Sequence, residues 1–403
     1  MTERAWRISA AIVAAACISC AARAQVYKTP DPRDVTPTPF IQPDAGECKD
    51  HRNAYAMVKL VSSRAADKAL LTDPLIKDAW GLALRPPGKG GHWWTANTAT
   101  GTTTTYVGDA PGHPFGQDAL KVVPIPVGKL HEKNETMSQP TGQVYTGWNK
   151  DEFVIEGKGD KGQPLKDYAR FVFVCLDGTI SAWANDMAAS VNVIDKGADG
   201  AMYTGVAVTE SAKGGNRLFC CDFNNRRIDV LDGAWKPVKV EGSFKAPGID
   251  DDYAIYNLLH HDGKLYAAFG RCANEPGDAE AYPGYGVIVE FDLEGRYIRE
   301  LARSKHLNAP WGLCVAPKDF GPFAGSLLVA NFGDGRVVGY DLKTGQIIDH
   351  LRDPEGKPIE IDGVWDMKFG NGETLGYANH MYFTAGPEQE TEGLFGKLVP
   401  LFP

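Results

Sequence analysis

The sequence predicts an all-β, six-bladed β-propeller with four-stranded antiparallel blades, and three observations predict it. Similar headings recur along the chain. Each is followed, some tens of residues later, by a short apolar run ending in a small or polar residue, and turn dipeptides such as Asp177-Gly178, Asp262-Gly263 and Asp334-Gly335 separate the runs. No long segment carries the period of an amphipathic helix.

The headings are Ala79-Trp80-Gly81-Leu82, Pro310-Trp311-Gly312-Leu313 and Val364-Trp365-Asp366-Met367, with Pro140-Thr141-Gly142-Gln143 and Tyr203-Thr204-Gly205-Val206 in the same frame. The runs that follow are Trp93 to Asn97, Glu152 to Glu156, Leu218 to Asp222, Leu265 to Phe269, Leu327 to Asn331 and Met381 to Ala385, which read as six second strands. Third and fourth strands are clearest in Val287 to Leu293 and Arg336 to Leu342, with turns at Gly295 and Gly345. The last unit, ending at Gly393 to Val399, supplies no fourth strand, whereas Ala56 to Val61 is a spare strand ahead of the first heading. That segment is expected to complete the last blade and close the ring, leaving no open edge.

The domain reading is a leader over 1–24, a Pro-rich arm over 25–55 and a propeller over 56–403. Arg4 and Arg7 precede an apolar run from Ile8 to Cys20, and Ala22-Arg23-Ala24 is the small-x-small pattern of a signal-peptide cleavage site. The expected product is periplasmic or secreted. Beyond the first 25 positions no apolar stretch is long enough to span a bilayer, so no membrane span is expected. Cleavage removes three arginines and one glutamate and takes the formal charge from −9 to −11, which disfavours nucleic acid as a partner. Six cysteines remain, Cys48, Cys175, Cys220, Cys221, Cys272 and Cys314, whose pairing the spacing leaves open. The mature chain is expected to be a monomer.

The block Asp222-Phe223-Asn224-Asn225-Arg226-Arg227-Ile228-Asp229-Val230 resembles the strand opening of NHL-repeat propellers. The Trp-Gly-Leu headings, Asn331-Phe332-Gly333-Asp334-Gly335, Ile361-Asp362-Gly363-Val364-Trp365 and the ending Gly393-Leu394-Phe395-Gly396 resemble a family of exported bacterial propellers without an assigned function. A wider likeness is to gluconolactonase and regucalcin-type propellers, whose members hold a divalent cation at the channel mouth; only the residue types recur here, not the local motifs. The resemblance implies the fold and export, and no activity.

Headings and second-strand ends should meet at one mouth of the channel, because the chain reverses at each turn. This gathers Trp80, Trp311 and Trp365 with Thr141 and Thr204, beside Asn97, Glu156, Asp222, Phe269, Asn331 and Ala385, with Asp362 nearby. Asn97, Glu156, Asp222 and Asn331 are candidate ligands for a divalent cation such as Ca²⁺. Trp80, Trp311, Trp365 and Asp362 are candidates for binding a small polar ligand or a protein partner. The same polar residues can instead tie down their own loops, and the same indoles can plug the channel. The insert from Gly270 to Gly286 is expected on this rim, as a lid. His260-His261 belongs to the opposite rim, and adjacent strand residues point two ways, against a shared metal. No Gly-x-Ser-x-Gly elbow, Walker loop or dinucleotide fingerprint is present. Two functions stay open: a ligand-binding or interaction scaffold without turnover, and a metal-assisted hydrolase of lactones or esters.

Overall fold

The computed structural model describes residues 52–133, 137–210, 214–274 and 276–402; the leader, most of the arm and Cys48 lie outside them. The chain forms a six-bladed β-propeller. Strand β1 (Tyr55–Ser62) and the short parallel β2 (Leu71–Thr72) precede the first blade. Blade 1 is β3 (Ala79–Leu84), β4 (Trp93–Asn97), β5 (Thr102–Tyr106) and β6 (Val122–Pro124). Blade 2 opens with β7 (Pro140–Tyr145), leaves the sheet as a separate hairpin of β8 (Val154–Lys158) and β9 (Pro164–Tyr168), and resumes with β10 (Phe171–Cys175), β11 (Thr179–Trp183) and β12 (Val191–Asp195).

Blade 3 is β13 (Tyr203–Val208), β14 (Arg217–Asp222) and β15 (Arg227–Asp232). Blade 4 is β16 (Tyr253–His261), β17 (Lys264–Arg271), β18 (Gly286–Phe291) and β19 (Tyr297–Ala302). Blade 5 is β20 (Pro310–Val315), β21 (Leu327–Asn331), β22 (Val337–Tyr340) and β23 (Ile347–His350). Blade 6 is β24 (Val364–Phe369), β25 (Met381–Ala385) and β26 (Leu394–Pro400), completed by β1.

Two details differ from the sequence reading. The run Glu152 to Glu156 becomes a strand only from Val154, in the inserted hairpin, and the partner of β7 is the wholly buried β10. Blade 3 has three strands instead of four. The segment after β15 contains Pro237, which has no N–H to give a ladder, and it returns only two bonds, from Asp232 N to Lys236 O and from Val238 N to Val230 O.

Strands form where apolar residues fill both faces, because each blade is packed between two others. Buried clusters lie between blades 3 and 4, 4 and 5, 5 and 6, and 6 and 1, and one continuous cluster joins blades 1, 2 and 3. Cys220 packs into the last of these and its neighbour Cys221 into the core between blades 3 and 4, as alternation along a strand requires. The turns follow their chemistry. Asp262 (φ 49°) and Gly263 (φ 72°) form the two-residue link of β16 and β17, both left-handed as a type I′ hairpin demands.

Ring closure comes from β1, which pairs antiparallel with β26 from Tyr55↔Pro400 to Ser62↔Leu394. Tyr55, Leu60 and Val61 are buried there. On one side Tyr55 N donates to Arg352 O (2.9 Å) and Asn53 Nδ2 to Asp349 Oδ2 (3.0 Å). On the other side Lys397 of β26 reaches Asp109 of blade 1, at 2.8 Å and 2.6 Å to its two carboxylate oxygens.

The six innermost strands share one irregularity. In each, the register slips against the second strand by one extra residue, placing a bulge at Trp80, Thr141, Thr204, Tyr256, Trp311 and Trp365. Tyr256 thus belongs to the heading of blade 4, which carries no Trp-Gly or Thr-Gly signature. The residue after the bulge is Gly81, Gly142, Gly205, Asn257, Gly312 and Asp366 in blade order. A Cβ on Gly81 would stand 2.5 Å from Thr141 O and one on Gly312 2.3 Å from Trp365 O, so the inner strands meet where only glycine fits.

Two stability experiments follow. Truncation through residue 62 removes a ladder and the buried Tyr55, Leu60 and Val61. At about 2–5 kcal/mol per large core side chain, that approaches the whole stability of an ordinary domain; circular dichroism of the truncated chain is expected to show no cooperative melt near that of the full chain. Burial holds the imidazoles of His350 and His380 down at about 4, against 6.5 in an unfolded chain. Their neutral forms favour the fold fully above pH 6.5, and that contribution is lost as pH falls toward 4, because the unfolded chain takes up the protons first. Melting temperature is expected to drop across that window, and less so in His350→Asn.

Candidate functional site at the open end of the channel

The bulges turn four aromatic rings onto the axis at the heading end. Trp80 and Trp365 stack at 3.6 Å and 23°, Trp311 stands edge-on to both (6.1 Å and 5.9 Å), and so does Tyr256 (6.3 Å and 6.2 Å). Phe332 continues the stack on Trp365 at 4.1 Å, and Phe223 packs on Tyr256 at 4.7 Å. The indole N–H groups are all satisfied. Trp80 and Trp365 donate to the two carboxylate oxygens of Asp78 at 2.9 Å and 3.2 Å, and Trp311 donates to Thr204 O at 3.0 Å. Burial, with Glu390 nearby, pushes the Asp78 carboxyl well above the usual range.

The insert between β17 and β18 completes the cover. Its Ala279 is buried against the aromatic cluster, and Gly277 approaches Met202 of blade 3 while Ala281 approaches Gly333 of blade 5. Trp80, Trp311 and Trp365 are at most 5% exposed, so this end of the channel is plugged and capped. Asp362 lies exposed in the turn before β24 and accepts Glu388 N at 2.9 Å.

Three of the four residues read as cation ligands, Asn97, Asp222 and Asn331, lie at second-strand ends in blades 1, 3 and 5, fully buried. Asn97 donates to Thr102 (3.3 Å) and Thr104 (3.1 Å) and accepts from Thr95 (3.1 Å). Asp222 accepts Met202 N (3.2 Å) and Asn225 Nδ2 (2.9 Å) and pairs with Arg227 (3.0 Å). Asn331 accepts Asn308 N (3.2 Å) and donates to His306 O (2.7 Å). Their polar atoms hold loops and neighbouring strands. Glu156 does not come to this rim: it is exposed on β8, 2.7 Å from Lys166 of β9, because the strand carrying it lies outside the blade. Among the described residues no group of three or more His, Cys, Asp or Glu side chains is placed to hold a metal ion. The described cysteines, Cys175, Cys220, Cys221, Cys272 and Cys314, are unpaired.

The opposite end of the channel is open. A cavity of about 390 Å³ is lined by all six innermost strands and the turns that follow them. Its walls are mostly apolar, from Ala83, Val144, Val206, Leu258, Leu259 and Leu313, and Tyr145 and Trp148 of blade 2 add two rings set edge to face at 5.2 Å. Polar groups enter at a few points, the pattern of a small-molecule site. Gln143 donates to Gly81 O (2.8 Å) and Trp94 O (2.6 Å), and Asn257 to Trp311 O (3.1 Å), so both amides also lock adjacent blades together.

Asp366 accepts Leu82 N (2.9 Å), Met367 N (2.8 Å) and Lys368 Nζ (2.8 Å), which fixes the Lys368 ammonium in the wall. Glu210 keeps solvent access at the mouth, yet the surrounding walls withdraw enough water to raise its pKa. His260, on the rim the sequence assigned to it, is lowered by burial and by adjacent His261. Gln143, Asn257, Glu210, Asp366 and Lys368 escaped the sequence reading. The signal available was the residue after each bulge: glycine in four blades, but Asn257 and Asp366 in the other two.

No family model matches the chain. It is 28% identical over 355 residues to the Acanthamoeba polyphaga mimivirus protein named "Uncharacterized protein R648", covering 84% of this chain and 78% of that one. It is 33% identical over 199 residues to "Uncharacterized protein R640" of the same virus, where the match covers 48% of this chain and 36% of the relative. The bacterial origin implied by the sequence resemblance finds no support in these relatives. Among solved structures, the β-propeller of the soluble aldose sugar dehydrogenase of Escherichia coli superposes with a TM-score of 0.46 at 13% identity, over 86% of this chain and 100% of that one. Streptogramin B lyase superposes with a TM-score of 0.46 at 11% identity, over 87% and 99%.

The plug makes its own prediction. Trp365→Ala removes the central ring of the stack and one of the two indole donors to Asp78, and it should cost about 3–5 kcal/mol in urea unfolding. A loss below about 1 kcal/mol would mean the indole is not packed as described.

Proposed function

We propose that this protein is a ligand-binding propeller that takes a small molecule into the open end of its channel. The observation that carries the reading is the channel's asymmetry: one end sealed by stacked aromatics, the other an apolar-walled cavity with a few fixed polar groups. A propeller supports many functions, so the proposal rests on this site and not on the fold. The reading includes export, supported by the basic, apolar and small-residue segments of the first 24 positions.

Binding is tested with the neutral apolar fluorophore N-phenylnaphthylamine. One molecule is expected to bind per chain with blue-shifted emission. Val144→Trp and Leu84→Trp each place an indole in the cavity from a half-buried position, and both should abolish the signal while leaving the melting temperature within a few degrees. Unchanged binding in two folded variants would place the probe elsewhere and defeat the reading.

A further inference from the structure

We infer that the ligand of the open channel end is an organic cation, an amine with an apolar or aromatic body, whose ammonium group is received by Glu210. The inference rests on the reading of this cavity as a ligand site. It follows from a count of the formal charges around the wall. Asp366 and Lys368 cancel: the ammonium stands 2.8 Å from the carboxylate, whose oxygens also accept two backbone N–H groups. His260 is held toward its neutral form. Arg85, between the lining residues Leu84 and Pro86, donates to Asn185 at 2.8 Å and is not itself part of the lining. Among the described residues that line the cavity, Glu210 is left as the unbalanced charge, in walls that already disfavour an unpaired carboxylate.

The placement of the other groups favours a cation as well. Inner strands contact one another in the order of the blades and close from blade 6 to blade 1, so blade 3, with Glu210, faces blade 6, with Lys368, across the channel. The one fixed ammonium is therefore on the far wall. Blade 2, next to Glu210, brings Tyr145 and Trp148 to the same cavity, and an aromatic face attracts a cation by its quadrupole. The negative net charge of the chain draws cations toward the mouth at longer range.

The test is a matched series with one body and three charges: naphthylethylamine, naphthylethanol and naphthylacetate, each titrated as a competitor of N-phenylnaphthylamine. The amine is expected to bind about tenfold tighter than the alcohol, a difference of about 1.4 kcal/mol, with the carboxylate weakest. Glu210→Gln should bring the amine down to the alcohol and leave the alcohol unchanged; Lys368→Met should preserve the amine's advantage. An alcohol as tight as the amine, or an amine preference that survives Glu210→Gln, overturns the inference while the fluorophore still reports a ligand site. A fluorophore signal indifferent to Val144→Trp and Leu84→Trp removes the site itself, and the inference with it.

Discussion

The bulge at the head of each innermost strand is the constraint on which the rest of this structure depends. One extra residue per strand turns a side chain onto the axis and leaves its carbonyl facing the next blade. That carbonyl is then taken by a neighbour: Trp311 Nε1 donates to Thr204 O, Thr204 Oγ1 to Tyr256 O, Asn257 Nδ2 to Trp311 O, and Thr384 Oγ1 to Trp80 O. Buried carbonyls without such partners would each cost about 1–3 kcal/mol. The same distortion therefore locks the blades, aims the aromatic plug and sets where the channel ends. Glycine follows the bulge in four blades because the strands converge too closely for a side chain.

The plug and the cavity are two outcomes of this one geometry. At the heading end large rings fill the axis, and Asp78 gives two of the indoles a common acceptor. Past the bulge the strands carry Gly, Ala and Val toward the axis, and space remains. Where glycine is replaced, by Asn257 and Asp366, the polar side chain is spent on an adjacent strand: Asn257 bonds Trp311 O and Asp366 bonds Leu82 N. Asp366 also pairs with Lys368, which leaves Glu210 as the charged side chain of the cavity lining without a partner among the described residues.

Much of the fold was legible in the sequence because propeller signals are local and repeated. The Trp-Gly headings, the Asp-Gly turns and the spare strand Ala56 to Val61 each correspond to a structural element. The errors arose where a local signal was true but misplaced. Val154 to Glu156 does form a strand, and only its partner, β9 and not β7, moves Glu156 off the axis. Tyr256 was missed as a heading because the residue after it is Asn257. The site was less legible for a different reason. Which end of a channel is open depends on the sizes of side chains that meet across blades, and that sum is not written in any one segment.

The pairing of β1 with β26 also governs when the molecule can exist. Its two strands lie at opposite ends of the described chain, so the first described strand waits for the last. Until Leu394–Pro400 is made, blade 6 lacks an inner neighbour for β1, and the ring stays open. Contacts this distant in sequence are slow to form, since loop closure must come before any gain from pairing. A chain with this topology stays open between β1 and β26 until both strands are in place, so ring closure is a late step of folding.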